Sequence, residues 1–213
     1  MELLTPSQKE ALYLISKIDE FNKFYLAGGT ALTIKYNHRV SQDFDFFTKE
    51  ILNFEKIAQE IDIKFSIKWI SRAKDTLHFL INTANNELVS ISFFYYPYKL
   101  LKPLEYLAVY SLNLASDEDI ACMKVIAITQ RGSKKDFFDL WFLLKKNKWN
   151  LFILKNLVEE KYKNFPFWIF LKAVTFFEDA EKEEYSQDVI ERNWQKIKDF
   201  FRKEVKKFYL TQI

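Results

Sequence analysis

Glycine is the residue whose distribution most constrains this chain. Only three glycines occur among 213 residues, where ordinary usage of about 7% would give roughly fifteen. Two of them, Gly28 and Gly29, are adjacent, and the third is Gly132. Glycine allows a backbone to adopt left-handed angles or to approach a ligand closely. The adjacent pair is therefore where the sequence predicts an unusual turn beside a ligand.

The composition is that of a folded protein with a substantial core, since 49% of residues are hydrophobic and 29% are charged. The net charge of +3 is too small to indicate a nucleic-acid partner by itself. The single cysteine, Cys122, excludes an internal disulfide and a Cys-rich metal site. No apolar run reaches the length of a membrane span, and Met1–Pro6 lacks the pattern of a signal peptide. We therefore expect a cytoplasmic protein that does not contact a membrane.

Apolar periodicity predicts an α+β fold, with a mixed β-sheet and flanking helices followed by an all-helical region. A buried strand, Phe24–Ala27, leads into the glycine pair, and a helix leaves from Thr30, which we expect to cap it. The other predicted strands are Asp43–Phe47, Ile63–Ile70, Leu77–Asn82, Leu88–Tyr95 and the edge strand Tyr106–Leu112. The other predicted helices are Pro6–Asn22, Phe54–Ile61, Ser116–Arg131, one from Ser133, Leu151–Lys163, Pro166–Phe177 and Gln187–Phe208. The change of character predicts two domains, residues 1–114 and 115–213.

The glycine pair and the Asp pair that follows it predict a phosphate site beside a metal site. Backbone N–H groups at a helix N-terminus favour anions, and glycines let that backbone come close to a phosphate. Asp43 and Asp45 lie two residues apart on a predicted strand, so their carboxylates project from the same face. Carboxylates bind Mg²⁺, which also takes phosphate oxygens. Either motif alone is more often structural, but together they indicate a nucleoside triphosphate.

A second group of charged residues surrounds the third glycine. Lys124 and Arg131 are seven residues apart, which is two helical turns, so they share one face of a helix. Gly132 ends that helix, and Lys135, Asp136 and Asp139 follow at the start of the next one. Taken alone, this arrangement is typical of a solvated pair of helices.

Together, the two groups resemble the motifs of the AbiEii/AbiGii-type nucleotidyltransferase toxins, which belong to the DNA polymerase β-like nucleotidyltransferase superfamily. The resemblance is carried by Gly28–Leu32, His38–Phe47 and Lys124–Leu140, and it covers the chain from about Phe24 to Leu144. It implies a nucleotidyltransferase-type sheet and Mg²⁺-dependent transfer of NMP from an NTP. The 3′ end of tRNA is the first acceptor it implies, and a protein is the second. It also implies a toxin of a toxin–antitoxin or phage-defence pair, with an antitoxin protein as partner.

The resemblance further implies a role for each matched residue. Asp43 and Asp45 bind Mg²⁺ in this interpretation, and with Lys124 and Asp136 they form the catalytic set. Asp136 positions or deprotonates the acceptor. The implied nucleotide contacts are Gly28, Gly29, Thr30, Arg39, Ser41, Lys124, Arg131 and Lys135, and Asp139 completes the second motif.

Three points stay open at the level of sequence. Arg39 either braces the glycine loop or forms an ion pair with Asp43 or Asp45. The strand where the superfamily often places a third carboxylate, Leu88–Phe94, offers serines instead. That departure is the best support for the alternative, a non-catalytic nucleotide-binding protein that retains the fold.

The segment Glu191–Lys207 has a surplus of basic residues over acidic ones. This surplus is typical of a surface that attracts RNA. It is also typical of the solvated face of an amphipathic helix, which is the commoner origin of such a pattern.

Overall fold

In the computed structural model, which describes residues 4–183 and 188–211, the chain forms two compact units. Unit 1 contains the described residues up to Lys99 together with Pro103–Ala115. Unit 2 contains Leu100–Lys102 together with the described residues from Ser116 onward. Within the described ranges, no helix is both long enough and apolar enough to cross a membrane.

Unit 1 is built on a mixed sheet that has seven strands within the described residues. The strands are β1 (Tyr25–Leu26), β2 (Phe44–Thr48), β3 (Ile67–Ala73), β4 (Thr76–Asn82), β5 (Leu88–Tyr95), β6 (Glu105–Leu107) and β7 (Leu112–Leu114). Their order across the sheet is β3-β4-β5-β2-β1-β7-β6. Strand β2 lies between β5, to which it is parallel, and β1, to which it is antiparallel. The strand that carries Asp45 is therefore central in the sheet.

The helices of unit 1 are α1 (Pro6–Ile15), α2 (Gly28–Tyr36) and α3 (Phe54–Lys64). Helix α1 begins as predicted, with Thr5 as its N-cap. It is shorter than the predicted Pro6–Asn22, because the Lys17 and Ile18 amides donate to carbonyls three residues back rather than four. A 3-10 turn follows at Phe21–Lys23. The tighter turns still bury Phe21 and also Ile18, which belongs to the apolar pattern that predicted the helix.

The core of unit 1 confirms the alternation predicted for β2. Phe44 and Phe46 are buried, whereas Asp45 and Phe47 on the opposite face are half-buried. Phe46 stacks on Phe93 of β5 with ring centroids 5.4 Å apart. Because burying an aromatic side chain removes a large apolar area from water, these contacts fix which face of β2 points inward. The predicted strand was one residue too early at each end, since β2 begins after Asp43.

Unit 2 is helical, as predicted. Its helices are α4 (Asp117–Gln130), α5 (Lys134–Lys146), α6 (Leu151–Lys161), α7 (Phe167–Ala173), α8 (Glu178–Glu181) and α9 (Asp188–Leu210). The single helix predicted over Pro166–Phe177 is wrong, because α7 ends at Ala173 and α8 begins at Glu178. The last predicted helix corresponds to α9; its predicted first residue, Gln187, lies outside the described residues.

Two features hold unit 2 together. The buried residues of α9 recur every three or four positions and form one stripe, and α9 packs on α5 and α6. A fully buried ion pair joins Asp119 Oδ1 to Lys161 Nζ at 2.6 Å. The same carboxylate accepts the Leu101 amide at 3.1 Å, so this pair also holds the Leu100–Lys102 segment within unit 2.

Candidate active site

The glycine pair begins helix α2 directly. Gly28 has a φ of +69°, in the left-handed region that favours glycine, and it is the first residue of α2. Ala27 occupies the N-cap position and provides no side-chain cap. The prediction that Thr30 caps this helix is wrong, because the left-handed turn lets the helix start two residues earlier. Backbone N–H groups at such an uncapped N-terminus are available to an anion.

Gly29 is required for a different reason, which is space. A methyl group on Gly29 would collide with Arg39 Nη2 and would lie 3.1 Å from Ser41 Oγ. Arg39 is buried, and its Nη1 donates to the Val40 carbonyl at 2.9 Å. The structure therefore places the guanidinium group directly against the glycine backbone. That Arg39 braces this loop, or instead pairs with Asp43 or Asp45, stays a prediction.

Asp43 and Asp45 are accessible to different degrees. Asp43 is exposed and lies immediately before β2, whereas Asp45 is half-buried within it. A methyl group on Gly28 would be in van der Waals contact with Asp45 Oδ2, at 3.6 Å. The Asp45 carboxylate therefore lies beside the start of α2, so the predicted metal and phosphate groups are neighbours in unit 1.

Thr30 and Ser41 connect α2 to the segment that carries Asp43. The buried Thr30 hydroxyl donates to the Asp43 carbonyl and lies 2.8 Å from the Ser41 hydroxyl. A hydroxyl has a single proton to donate, so that of Thr30 is committed to the Asp43 backbone. In this structure the Thr30 side chain holds the Asp43 segment in place rather than pointing at a ligand.

The chemistry of this donor set fits Mg²⁺. The ion commonly binds proteins through one or two carboxylates, keeps several waters and takes substrate phosphate oxygens as further ligands. Asp43 and Asp45 supply two hard oxygen donors beside a predicted phosphate position. In the part of the chain that the structure describes, no group of three or more His, Cys, Asp or Glu side chains could enclose a metal. Ser92, buried on β5, is the register partner of Asp45.

In unit 2, the residues of the second motif form a buried cluster of charges. Lys124 Nζ lies 2.8 Å from Asp136 Oδ1 and 2.7 Å from Asp139 Oδ2. Both carboxylates are completely buried, and Lys124 is 5% exposed. The helices α4 and α5 bring these residues together because Gly132, with a φ of +58°, turns the chain sharply between them. The predicted role of Gly132 as the joint between two helices is confirmed.

Asp136 has further partners at the start of α5. Arg131 Nε donates to its Oδ2 at 2.8 Å and Nη2 to its Oδ1 at 3.1 Å, a bidentate pair. The Ser133 hydroxyl also donates to Oδ2, at 2.9 Å. Burial by itself would raise the pKa of the Asp136 carboxyl, but Lys124 and Arg131 outweigh it and lower the pKa well below its ordinary range.

This environment is not that of a general base. A base needs a pKa near the working pH and access to the proton that it removes. The Asp136 carboxylate has neither, because it is buried, ionised and hydrogen-bonded by Lys124, Arg131 and Ser133. That Asp136 positions or deprotonates the acceptor stays a prediction, and the cluster around it makes positioning the role that its contacts favour.

The cationic residues of the second motif also differ in accessibility. The Arg131 side chain is 60% exposed although it pairs with Asp136, and Lys135 is half-buried. Both can therefore meet a ligand from solvent, whereas Lys124 cannot do so without a rearrangement. The sequence did not identify Ser133 as a hydrogen-bond partner of Asp136. Its place as N-cap of α5 was recognisable, but its bond to Asp136 was not.

Two solved structures share this fold. Helicobacter pylori JHP933 aligns over 100% of both chains with a TM-score of 0.53 and 16% identity. MenT4, a nucleotidyltransferase toxin of Mycobacterium tuberculosis H37Rv, aligns over 84% of this chain and 66% of its own, with a TM-score of 0.53 and 16% identity. At these identities the likeness shows the fold alone, and it confirms the predicted nucleotidyltransferase-type sheet.

Sequence comparison then gives the family. Residues 10–106 and 88–209 match the family described as "Nucleotidyl transferase AbiEii toxin, Type IV TA system". An uncharacterized protein of Aquifex aeolicus (strain VF5) is 45% identical over 210 residues, covering 98% of each chain. The chain belongs to the AbiEii toxin family and is a nucleotidyltransferase, as the two motifs predicted.

Proposed function

We propose that this toxin uses Mg²⁺ to transfer NMP from an NTP to a hydroxyl acceptor. The observation that carries the proposal is the position of the Asp45 carboxylate against Gly28, at the uncapped start of α2. Asp43 lies two residues before Asp45 and is exposed. A triphosphate bound at the helix N-terminus would therefore meet both carboxylates.

In the proposed reaction, the acceptor oxygen forms a bond to the α-phosphorus while the bond from that phosphorus to the β-bridging oxygen breaks. Pyrophosphate leaves with the electron pair, and the hydroxyl proton goes to solvent. Mg²⁺ held by Asp43 and Asp45 would neutralise the charge of the triphosphate. Gly28 and Gly29 would admit the phosphates to the α2 backbone, and Arg39 would brace that backbone. Catalysis then depends on positioning and electrostatics.

The residues of unit 2 take two kinds of role in this proposal. Arg131 and Lys135 are accessible and would contact phosphates, with the bidentate geometry that suits arginine. Lys124, Asp136 and Asp139 would hold α4 and α5 in register as positioning residues. In this proposal, residues 1–114 would be the nucleotidyltransferase domain and residues 115–213 a helical domain.

We take RNA, with the 3′ end of tRNA first, as the acceptor class. The resemblance to the family gives this choice, and one surface of unit 2 is compatible with it. Three exposed lysines of α9, Lys196, Lys203 and Lys206, have no ion-pair partner among the described residues. Unpaired cations of this kind attract a nucleic-acid backbone, with an affinity that falls as salt rises. The family description as a toxin–antitoxin system further supports an antitoxin protein as partner.

The test is transfer of label from each of the four NTPs to total tRNA or to protein, with and without Mg²⁺. We expect labelled tRNA in the presence of Mg²⁺, and loss of at least about 10²-fold in rate for Asp43→Asn. Asp75→Asn is the matched control, because Asp75 is also an exposed carboxylate of unit 1 and lies in the turn between β3 and β4. It should transfer at the wild-type rate.

Each other outcome changes the proposal in a defined way. Labelled protein in place of RNA would keep the reaction and replace the acceptor. Transfer that Asp43→Asn leaves unchanged would exclude the proposed site. Absence of any labelled product, with growth inhibition that Asp43→Asn does not relieve, would favour the non-catalytic nucleotide-binding protein.

A further inference from the structure

The two carboxylates of unit 1 are held by different parts of the structure. Asp45 lies within β2, where its carbonyl accepts the Ala27 amide at 3.1 Å and Ser92 of β5 is its register partner. Asp43 precedes the strand, so the sheet ladder does not hold its backbone. Something else must fix the Asp43 segment if both carboxylates are to bind one ligand.

Side chains from two helices take over this task. The Thr30 hydroxyl of α2 donates to the Asp43 carbonyl. From α1, Gln8 Nε2 donates to the Ser41 carbonyl at 2.9 Å and lies 3.3 Å from the Gln42 carbonyl. The peptide units immediately before Asp43 are therefore held by a residue that lies 33 positions earlier in the chain.

The orientation of the Gln8 amide is determined by its neighbours. The side-chain Gln8 Oε1 accepts the Thr5 backbone N–H at 2.9 Å, and the Gln8 backbone N–H in turn donates to Thr5 Oγ1. Together these two bonds form a capping box. A flipped carboxamide would place its NH₂ group against the Thr5 N–H and its oxygen against two carbonyls. Gln8 is 5% exposed, so water cannot readily replace these bonds.

We infer that Gln8 is a positioning residue for nucleotidyl transfer, because its carboxamide fixes the backbone ahead of Asp43 and so sets where the Asp43 carboxylate points. The inference rests on the proposed function of Asp43 as a ligand of Mg²⁺. Gln8 lies before residue 10, the first residue of the family match. Groups that orient metal ligands typically change metal affinity or activity by 10–100-fold when removed.

The opposing explanation is that Gln8 serves only to cap α1, and two variants separate the two roles. Gln8→Met keeps a similar side-chain volume but removes both the cap acceptor and the donors to Ser41 and Gln42. Thr5→Ala removes the cap hydroxyl and leaves the Gln8 amide in place. Loss of a cap hydroxyl lowers stability. Both variants should therefore be destabilised, but only Gln8→Met should affect the Asp43 segment.

The measurements are NTP turnover, the Mg²⁺ concentration at half-maximal rate, and Mn²⁺ affinity by electron paramagnetic resonance with a non-transferable NTP analogue bound. For Gln8→Met we expect about 10–100-fold lower turnover and correspondingly weaker Mn²⁺ binding. Thr5→Ala should match the wild type in all three. Should Gln8→Met not fold, Gln8→Glu keeps the acceptor for the Thr5 N–H, removes the amide donors and carries the same expectation.

Failure of this inference can be told from failure of the proposed function. Wild-type transfer together with unchanged turnover and Mn²⁺ affinity in Gln8→Met would overturn the positioning role and leave the proposed function intact. A wild type without transfer, but with Mn²⁺ binding weakened by Gln8→Met, would support the positioning role and remove the proposed reaction. Equal losses of turnover and Mn²⁺ affinity in Thr5→Ala and Gln8→Met would show that Gln8 acts only as a helix cap.

Discussion

The two carboxylate pairs of this toxin look alike in sequence and differ in structure. In unit 1, Asp43 is exposed and Asp45 is half-buried, and both lie beside the start of α2. Asp136 and Asp139 in unit 2 are completely buried, and Lys124 bridges them. The first pair is partly open to solvent, whereas the second is buried against Lys124 and Arg131.

This difference teaches that acidic motifs of similar sequence can differ in burial. One pair stays accessible to solvent, and the other is enclosed together with its counter-charges. A buried carboxylate without a partner would be costly, so Lys124 and Arg131 are part of the reason that unit 2 can fold around Asp136. An accessible carboxylate contributes little to stability and can be kept for a ligand. Substitutions in the two pairs should therefore affect different measurements.

The largest expected effect is on stability, in unit 2. Asp136→Asn should lower the free energy of unfolding by about 3–5 kcal/mol, because it removes one partner of a buried ion cluster and leaves the Lys124 charge undercompensated. Urea denaturation followed by tryptophan fluorescence would measure it. The same measurement on Asp43→Asn should fall within about 0.5 kcal/mol of the wild type. Equal stabilities for the two variants would break the comparison.

The next effect is on activity, in unit 1. Asp45→Asn should reduce NMP transfer by about 10²–10³-fold, since it weakens the electrostatic stabilisation of the reacting phosphates. Because Asp45 is half-buried and not part of the apolar core, the melting temperature of the Asp45→Asn variant should stay close to that of the wild type. Thermal denaturation and initial rates on the same preparation would check both halves. A large drop in melting temperature instead would show that Asp45 has a structural role.

Lowering the pH should distinguish the two carboxylate pairs through a smaller effect on stability. The pKa of Asp136 is lowered in the folded protein relative to its ordinary value of 3.8, so its stabilising contribution is complete above that value and is lost as the pH falls through the folded pKa. From about pH 4 downward, this group should add up to about 1.4 kcal/mol of instability per pH unit. The pH dependence of unfolding should be shallower in Asp136→Asn. Superimposable profiles would mean that Lys124 and Arg131 do not lower the pKa of Asp136.

The smallest effects compare the two left-handed glycines. Gly28→Ala and Gly132→Ala should each cost about 1–2 kcal/mol of stability, because φ is +69° and +58° at these positions. Only Gly28→Ala should also lower NMP transfer, since a displaced start of α2 moves the groups beside Asp45. Matched losses of activity, after correction for the folded fraction, would remove the special role of Gly28.

Local signals predicted much of the secondary structure. The strand predicted at Leu88–Tyr95 has the same bounds in the structure, and Ser116 caps α4 through the Asp119 amide as expected. These features depend on residues close together in sequence, so short patterns suffice to find them. Gln8 shows the limit of such patterns. Its capping box was recognisable, but its bonds to the Ser41 and Gln42 carbonyls join distant segments.

The sequence by itself determined where the backbone must turn and which faces must be buried. Gly28 and Gly132 mark two of the left-handed turns, and the alternation in β2 puts Phe44 and Phe46 inside. Only the tertiary structure decided which carboxylates stay accessible to solvent and which are buried against a cation. The reason is physical: periodicity acts between near neighbours, whereas burial and charge compensation depend on contacts such as Lys124 with Asp136, twelve residues away across a helical joint.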